Sequence, residues 1–470
     1  MALSDPTVAI VGGGITGLAA ALRLGEHLPP NQIAVVERER SLGGKIGTER
    51  TEGFVIEAGP DSFLAAKPAA VELCRRLGLA PELVGTMGAE RRSSVRRAGL
   101  LHELPDGLSG LIPSRLGPLL SSSLLSWRGR ARAGLDLVLP RRHSDKEETI
   151  AGFFRRRLGD EAYDWLVEPL LSGIYAGDGE ALSVDATFPQ LRDLERYHGS
   201  LLRGMRRRPR PSEPAHSPAG SPFLAPKQGM GRLIEAAEAH LAGCRVFRGA
   251  AVESIAASPA GYALRLKDGS ALQAKGVILA IPAFDASRLV RCFDADLAAA
   301  LRQFPSVSTA TVAMAYRSSA LRRPLRGYGY LRPRAEGGPI VGCTWVSAKW
   351  PGRAPTGFSL LRAFVGRAGD DHVVSLPDSD LLQLVREELG QVLGITDQPH
   401  LSRIHRWRHG MPQYTVGHAG RLATIEDRLT GYPGLLLAGH SYHGVGIPDC
   451  IRSGERAAAR WLEQRSEVGA

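Results

Sequence analysis

Residues 8–17 read Val8-Ala9-Ile10-Val11-Gly12-Gly13-Gly14-Ile15-Thr16-Gly17 and run directly into Leu18-Ala19-Ala20-Ala21-Leu22. Four apolar residues, a glycine cluster and an Ala/Leu-rich stretch predict a buried strand, a tight turn and a helix. Gly12, Gly14 and Gly17 fall at Gly-x-Gly-x-x-Gly spacing. The first glycine permits the turn, the second lets a pyrophosphate approach the backbone, and the third lets the helix pack on the strand. Phosphates then sit against free N–H groups at the positive end of the helix, near Gly13, Ile15 and Thr16. A second apolar run, Ile33 to Val36, ends at Glu37, twenty residues beyond Gly17, with Arg38 next to it. A carboxylate there can accept both hydroxyls of an adenosine ribose. The expected product is a βαβ unit that binds a dinucleotide.

The rest of the chain is large enough to extend well beyond that unit. With 470 residues, 43% of them hydrophobic, it can bury a core that divides into two or three domains. The expected class is α/β (α+β), a Rossmann-like dinucleotide domain carrying insertions. Residues 1–65, 226–285 and 400–470 are expected to build the dinucleotide domain. Residues 66–90, 165–202 and 286–399 would form a substrate-binding domain, and 91–164 a helical domain. Residues 203–225 combine an arginine run with closely spaced prolines and read as a mobile loop.

Several function classes recede on composition. The five cysteines, Cys74, Cys244, Cys292, Cys343 and Cys450, are scattered, without Cys-x-x-Cys spacing, and read as reduced thiols of a cytoplasmic protein. No metal-ligand spacing and no Ser-His-Asp pattern is evident. No signal peptide is expected ahead of the first strand, and no apolar run reaches the length of a transmembrane helix. The formal charge of +11 comes mostly from arginine but accompanies no nucleic-acid-binding motif, so a polycarboxylate ligand and a basic high-GC composition are both better explanations and nucleic acid is not an expected partner. Residues 119–139 mix Leu119, Leu120, Leu124, Leu125, Trp127 and Leu135 with Arg128, Arg130 and Arg132. That mixture fits a packed amphipathic helix, with a peripheral contact on the cytoplasmic membrane or a lining of the substrate channel as the alternatives.

Two further motifs select the kind of dinucleotide. Leu42-Gly43-Gly44-Lys45 and Gly59-Pro60-Asp61-Ser62 resemble the second cofactor motif of the superfamily of amine oxidases, phytoene desaturases and protoporphyrinogen oxidases. Ser41 stands where that superfamily carries an arginine two positions before the Gly-Gly pair, with Arg40 beside it. The resemblance implies FAD. Near the C-terminus, Ala438-Gly439 and Gly444-Val445-Gly446-Ile447-Pro448-Asp449-Cys450 resemble the closing flavin motif of the same family, flanked by His440 and His443. By resemblance, Val252, Trp350, Val445, Gly446 and Ile447 join the cofactor contacts.

The block Glu168 to Asp178, containing Gly173-Ile174-Tyr175-Ala176-Gly177-Asp178, resembles the signature of the protoporphyrinogen and coproporphyrinogen oxidase family. Read as local structure alone, it is a helix end capped by Gly173 with a second turn at Gly177. Cys343-Thr344-Trp345, Lys349-Trp350-Pro351 and Gly366 to Asp370 look more like the coproporphyrinogen enzymes, as does Asp61 where the protoporphyrinogen branch commonly has asparagine. Ser93-Ser94-Val95 occupies the segment where that branch places a propionate-binding arginine. Lys67 matches a basic residue of the coproporphyrinogen branch and is the candidate propionate partner.

The resemblance implies oxidation of coproporphyrinogen III to coproporphyrin III in heme biosynthesis. Six electrons leave in three flavin cycles, O₂ reoxidises the flavin to give hydrogen peroxide, and the product passes to a ferrochelatase. No catalytic base is assigned. Protoporphyrinogen IX oxidation is the alternative. More distant readings are an amine oxidase or carotenoid desaturase of the same fold, or a carrier without redox chemistry.

Overall fold

The computed structural model describes residues 6–87, 92–105, 108–109, 112–113, 122–207 and 220–468. At its centre lies a five-stranded sheet in the order Arg245–Phe247, Ile33–Val36, Val8–Val11, Gly276–Leu279, Leu435–Leu437. Every pairing in it is parallel. A parallel sheet is covered on both faces, which explains why Val8–Val11 and Ile33–Val36 are apolar without alternation and wholly buried. One face packs the helices Ile15–Gly25 and Ile447–Val468 through Leu18, Leu24, Ile451, Ala458 and Trp461. Gly454 makes that helix pair close, since a Cβ there would overlap the Thr16 carbonyl. The opposite face packs the three-stranded layer Val252–Ser258, Gly261–Leu266 and Ala271–Ala274.

A second sheet has seven strands, in the order Leu401–Pro412, Ser306–Arg317, Phe358–Val365, Ile340–Trp345, Gly329–Leu331, Ser93–Arg97, Leu100–Glu103. Its pairings are antiparallel except that Gly329–Leu331 runs parallel to Ser93–Arg97. The helix Asp378–Leu393 covers one face through Leu381, Val385 and Leu389.

Two features correct the expected division of the chain. Residues 91–164 are not wholly helical, because Ser93–Arg97 and Leu100–Glu103 extend the second sheet at its edge. Residues 165–202 share a core with the helices that precede them, with Leu166, Leu171, Leu191 and Leu202 packed among Phe153, Phe154 and Leu158. Apolar residues at helical spacing on both sides of residue 164 bury against one another, so no boundary falls there. The segment 203–225 is helical as far as Arg207 and becomes a strand at Phe223–Pro226; residues 208–219 lie outside the described residues. In the expected amphipathic stretch, residues 119–121 also lie outside the described residues, and the helix spans Trp127–Gly134. Among the described residues, no helix is long and apolar enough to cross a membrane.

Candidate active site

The glycine turn takes the form its spacing predicts. Gly12 sits at φ +105°, in the left-handed region, and a Cβ on Gly17 would overlap the Gly12 carbonyl oxygen. The second glycine motif folds onto the first. Gly43 donates its N–H to Gly13 O at 2.8 Å, and Gly14 and Gly43 form an isolated parallel bridge. A Cβ on Gly44 would lie 3.3 Å from Gly14 Cα, so two side-chain-free turns face each other at the start of the first helix. That helix has Gly14 as its N-cap and no side chain capping it. Glu37 is buried beside the turn, its Oε2 accepting from Gly13 N at 2.6 Å and its Oε1 from Glu39 N at 2.8 Å. Its backbone carbonyl accepts from Ala250 N at 2.8 Å, which places Val252, two residues on, at the same end of the sheet. Arg38 points outward to Asp285. Bare turns, an uncapped helix start and an oriented carboxylate fit the pyrophosphate and ribose of FAD.

The remaining flavin motifs converge on these turns from distant parts of the chain. A Cβ on Gly59 would overlap the Lys45 carbonyl, which seats the Gly59-Pro60-Asp61-Ser62 turn against Gly-Gly-Lys. Lys45 Nζ reaches Gly410 O and lies 2.7 Å from His440 Nε2. Burial lowers the Lys45 ammonium to about 8, and burial together with Lys45 holds the His440 imidazole well below its ordinary value. The C-terminal turn is tied down by Tyr414, whose hydroxyl donates to His440 O at 2.6 Å and accepts from Gly444 N at 2.7 Å. Val445 and Gly446 follow, and Ile447 opens the last helix. Lys67 reaches this same turn, with Nζ 2.6 Å from Asp449 Oδ2, while Arg452 holds Asp449 Oδ1 at 2.8 Å.

Asp61 is held from several sides. Its carboxylate accepts from Lys349 Nζ at 3.1 Å, Trp350 Nε1 at 3.2 Å and Ser62 Oγ at 2.8 Å, and Arg362 Nη2 lies 3.3 Å away. Burial opposes the charged form, but Lys349, Arg362 and the Ser62 hydroxyl outweigh it and hold the carboxyl far below the usual carboxylate range. Trp350 is fully buried and reaches the turn through Asp61. Lys349 and Arg362 are absent from the residues expected to build the site. The one local signal for them is an aspartate in place of an asparagine, a charge that must find a cation once buried.

The signature block forms the helix Glu168–Tyr175. Ala176, not Gly173, ends it in the left-handed region at φ 48°. The cap is held by Ala176 N to Ser172 O and Ala368 N to Ala176 O, both at 2.8 Å, which join the signature to the Gly366–Asp370 turn. Gln413 Nε2 donates to Tyr175 O at 2.9 Å and links the block to Tyr414. Ser93 and Ser94 lie on a strand of the second sheet, where Arg92 is ion-paired with Glu103 at 2.8 Å; Arg91 lies outside the described residues.

The comparisons agree with this arrangement. Residues 15–462 match the family described as flavin containing amine oxidoreductase. The chain is similar to the coproporphyrinogen III oxidase of Bacillus subtilis (strain 168), 38% identical over 96% of this chain and 97% of the relative. It is also similar to the protoporphyrinogen oxidase of Homo sapiens, 33% identical over 97% of this chain and 98% of that one. A crystal structure from Exiguobacterium sp. 255-15, described as a candidate protoporphyrinogen oxidase, superposes with a TM-score of 0.86 at 35% identity, over 98% of this chain and all of that one. The turns that fit a flavin dinucleotide and this full-length similarity agree: the chain is an FAD-dependent oxidoreductase and belongs to the flavin-containing amine oxidoreductases, in the branch of the porphyrinogen oxidases.

Proposed function

We propose that this protein oxidises coproporphyrinogen III to coproporphyrin III in heme biosynthesis. The observation that carries the reading is the higher identity to a coproporphyrinogen III oxidase than to a protoporphyrinogen oxidase, 38% against 33%, at nearly equal coverage. The resemblance of Lys67 and Asp61 to the coproporphyrinogen branch supports it, and both are ion-paired, with Asp449 and Lys349.

FAD, when bound, accepts two electrons at a time, so the six-electron oxidation takes three cycles. The protein's own part is orientation and charge. The two glycine turns and Glu37 hold the dinucleotide, Gly59 to Ser62, Val252 and Trp350 complete the cradle, and Val445 to Ile447 close it from the C-terminal side. Lys67 offers a partly exposed ammonium at the edge of that turn, where a propionate carboxylate would compete with Asp449 for it. O₂ is the proposed electron acceptor, yielding hydrogen peroxide. The proposed setting is cytoplasmic, with delivery of the product to a ferrochelatase. Peripheral membrane contact draws support from Trp127, Leu135 and Val138, which are exposed beside the arginine-rich helix.

The test is the initial rate of porphyrin fluorescence under air with coproporphyrinogen III and with protoporphyrinogen IX. Faster oxidation of the first is expected. Faster oxidation of the second would assign the alternative, and inertness to both would overturn the porphyrinogen reading. Co-sedimentation with anionic vesicles tests the membrane contact.

A further inference from the structure

The Asp61 cluster carries a charge imbalance. Glu57, Asp61, Lys349, Arg353 and Arg362 form one network: Arg353 pairs with Glu57 at 2.8 Å, Lys349 and Arg362 pair with Asp61, and Arg362 Nη1 donates to Gly59 O at 2.8 Å. Three cations therefore face two carboxylates, and all but Lys349 are at least nine-tenths buried. The titratable neighbours do not cancel the excess. Burial pushes the Cys343 thiol up and the His405 imidazole down, so both stay neutral. Arg362 Nε is buried without a hydrogen-bond partner, and the Lys349 ammonium lies over the rings of Phe223, Tyr328 and Trp350 at 5.3 to 5.7 Å, which keep water from it. The rings and the shared Asp61 carboxylate offset part of the cost of two buried cations, and a further anion nearby would offset the rest.

We infer that the surplus positive charge on Lys349 and Arg362, fixed to the Gly59–Ser62 turn, stabilises the negative charge of the reduced flavin and so sets how readily the cofactor accepts electrons. The inference rests on the proposed function, which puts that turn in the cofactor cradle; the turn packs on Lys45, next to Gly43-Gly44. The balance is simple. As a meso C–H bond of the substrate breaks, two electrons and one proton reach the flavin, a pyrrole N–H proton leaves to solvent, and the reduced ring carries one negative charge. In a site screened from water, one nearby charge more or less alters that stabilisation measurably. Lys349 and Arg362 thus act as positioning charges, with no part in bond breaking.

The test uses the purified flavoprotein without substrate, so its outcome is independent of which porphyrinogen is oxidised. Two readouts respond to local positive charge: the two-electron midpoint potential, by dye equilibration, and the affinity of oxidised flavin for sulfite. Lys349→Met is expected to weaken sulfite binding about tenfold and lower the potential by about 30 mV, the same factor for a two-electron couple. Asp61→Asn, which removes a negative charge at constant shape, is expected to shift both readouts the opposite way. Lys349→Arg, which keeps the charge, is expected to move neither. Shifts of one sign in Lys349→Met and Asp61→Asn, no shift in either, or a Lys349→Arg shift as large as that of Lys349→Met would overturn the inference. Should Asp61→Asn fail to fold, the Met and Arg variants of Lys349 decide the matter alone.

Discussion

The glycine turns and the Asp61 cluster lie against each other but are built on opposite principles. The turns work by lacking side chains: Gly14 and Gly44 approach because neither has a Cβ, and most of what they need lies within about forty residues of sequence. The cluster works by having side chains, charged and buried, drawn from residues 57–62 and 349–362, which only the packing of the second sheet on the Glu57–Ser62 segment brings together. Shape is encoded locally and charge at long range. The first kind of site should fail by steric overlap, and the second by unbalanced charge.

The largest effect is expected at the turn. Gly17→Val would drive a side chain into the Gly12 carbonyl and abolish flavin binding, read as loss of the visible flavin spectrum from the purified protein. A yellow variant would mean that the helix can move away from the strand. Next comes Asp61→Asn, which leaves Lys349 and Arg362 without their carboxylate and should destabilise by about 3 kcal/mol in denaturant unfolding. Its pH dependence tells charge from shape. The Asp61 carboxyl is held below its ordinary value in the folded protein, so its contribution is full above about pH 4 and is lost as pH falls further. The gap between wild type and variant should close on that acid side and stay constant above it.

Trp350→Phe removes one hydrogen bond to the same carboxylate while keeping an aromatic ring, and about 2 kcal/mol is expected by the same measurement. The smallest effect on the fold is expected at Lys67. Lys67→Met breaks a partly exposed pair, so stability should change by less than about 1 kcal/mol with flavin retained. Loss of a carboxylate partner there would raise KM for coproporphyrinogen III about fivefold, an energy of about 1 kcal/mol, and leave kcat unchanged.

The same contrast explains what the sequence made legible. Val8 to Gly17 and Glu37 could be read from spacing because each residue's role depends on its place along a short stretch of chain, whereas Gly43-Gly44 was legible by resemblance. The closing turn at Gly444 to Ile447 was legible by resemblance only, and in the structure it leads into the last helix, which packs on the first. Lys349 was quoted only as part of a string, since its partner Asp61 is 288 residues away and nothing in either segment names the other. Ala176 escaped for another reason: glycine is the usual left-handed cap, and only the bonds to Ser172 and Ala368 show an alanine held there. The boundary at residue 164 misled because two helical stretches with similar patterns can bury against each other or against a sheet, and the pattern alone does not say which.

The order of the central sheet also matters during synthesis. Val8–Val11 is flanked by Ile33–Val36 and Gly276–Leu279, and the edge strand Leu435–Leu437 comes almost last. At translation rates of about 5–20 residues per second, the first strand waits roughly 20 to 90 seconds for that edge. Until then Gly276–Leu279 lacks its outer neighbour, and the sheet lacks the C-terminal helix that packs on one of its faces. A nonsense mutation even near residue 440 would remove the helix Ile447–Val468 and leave that face of the dinucleotide fold uncovered.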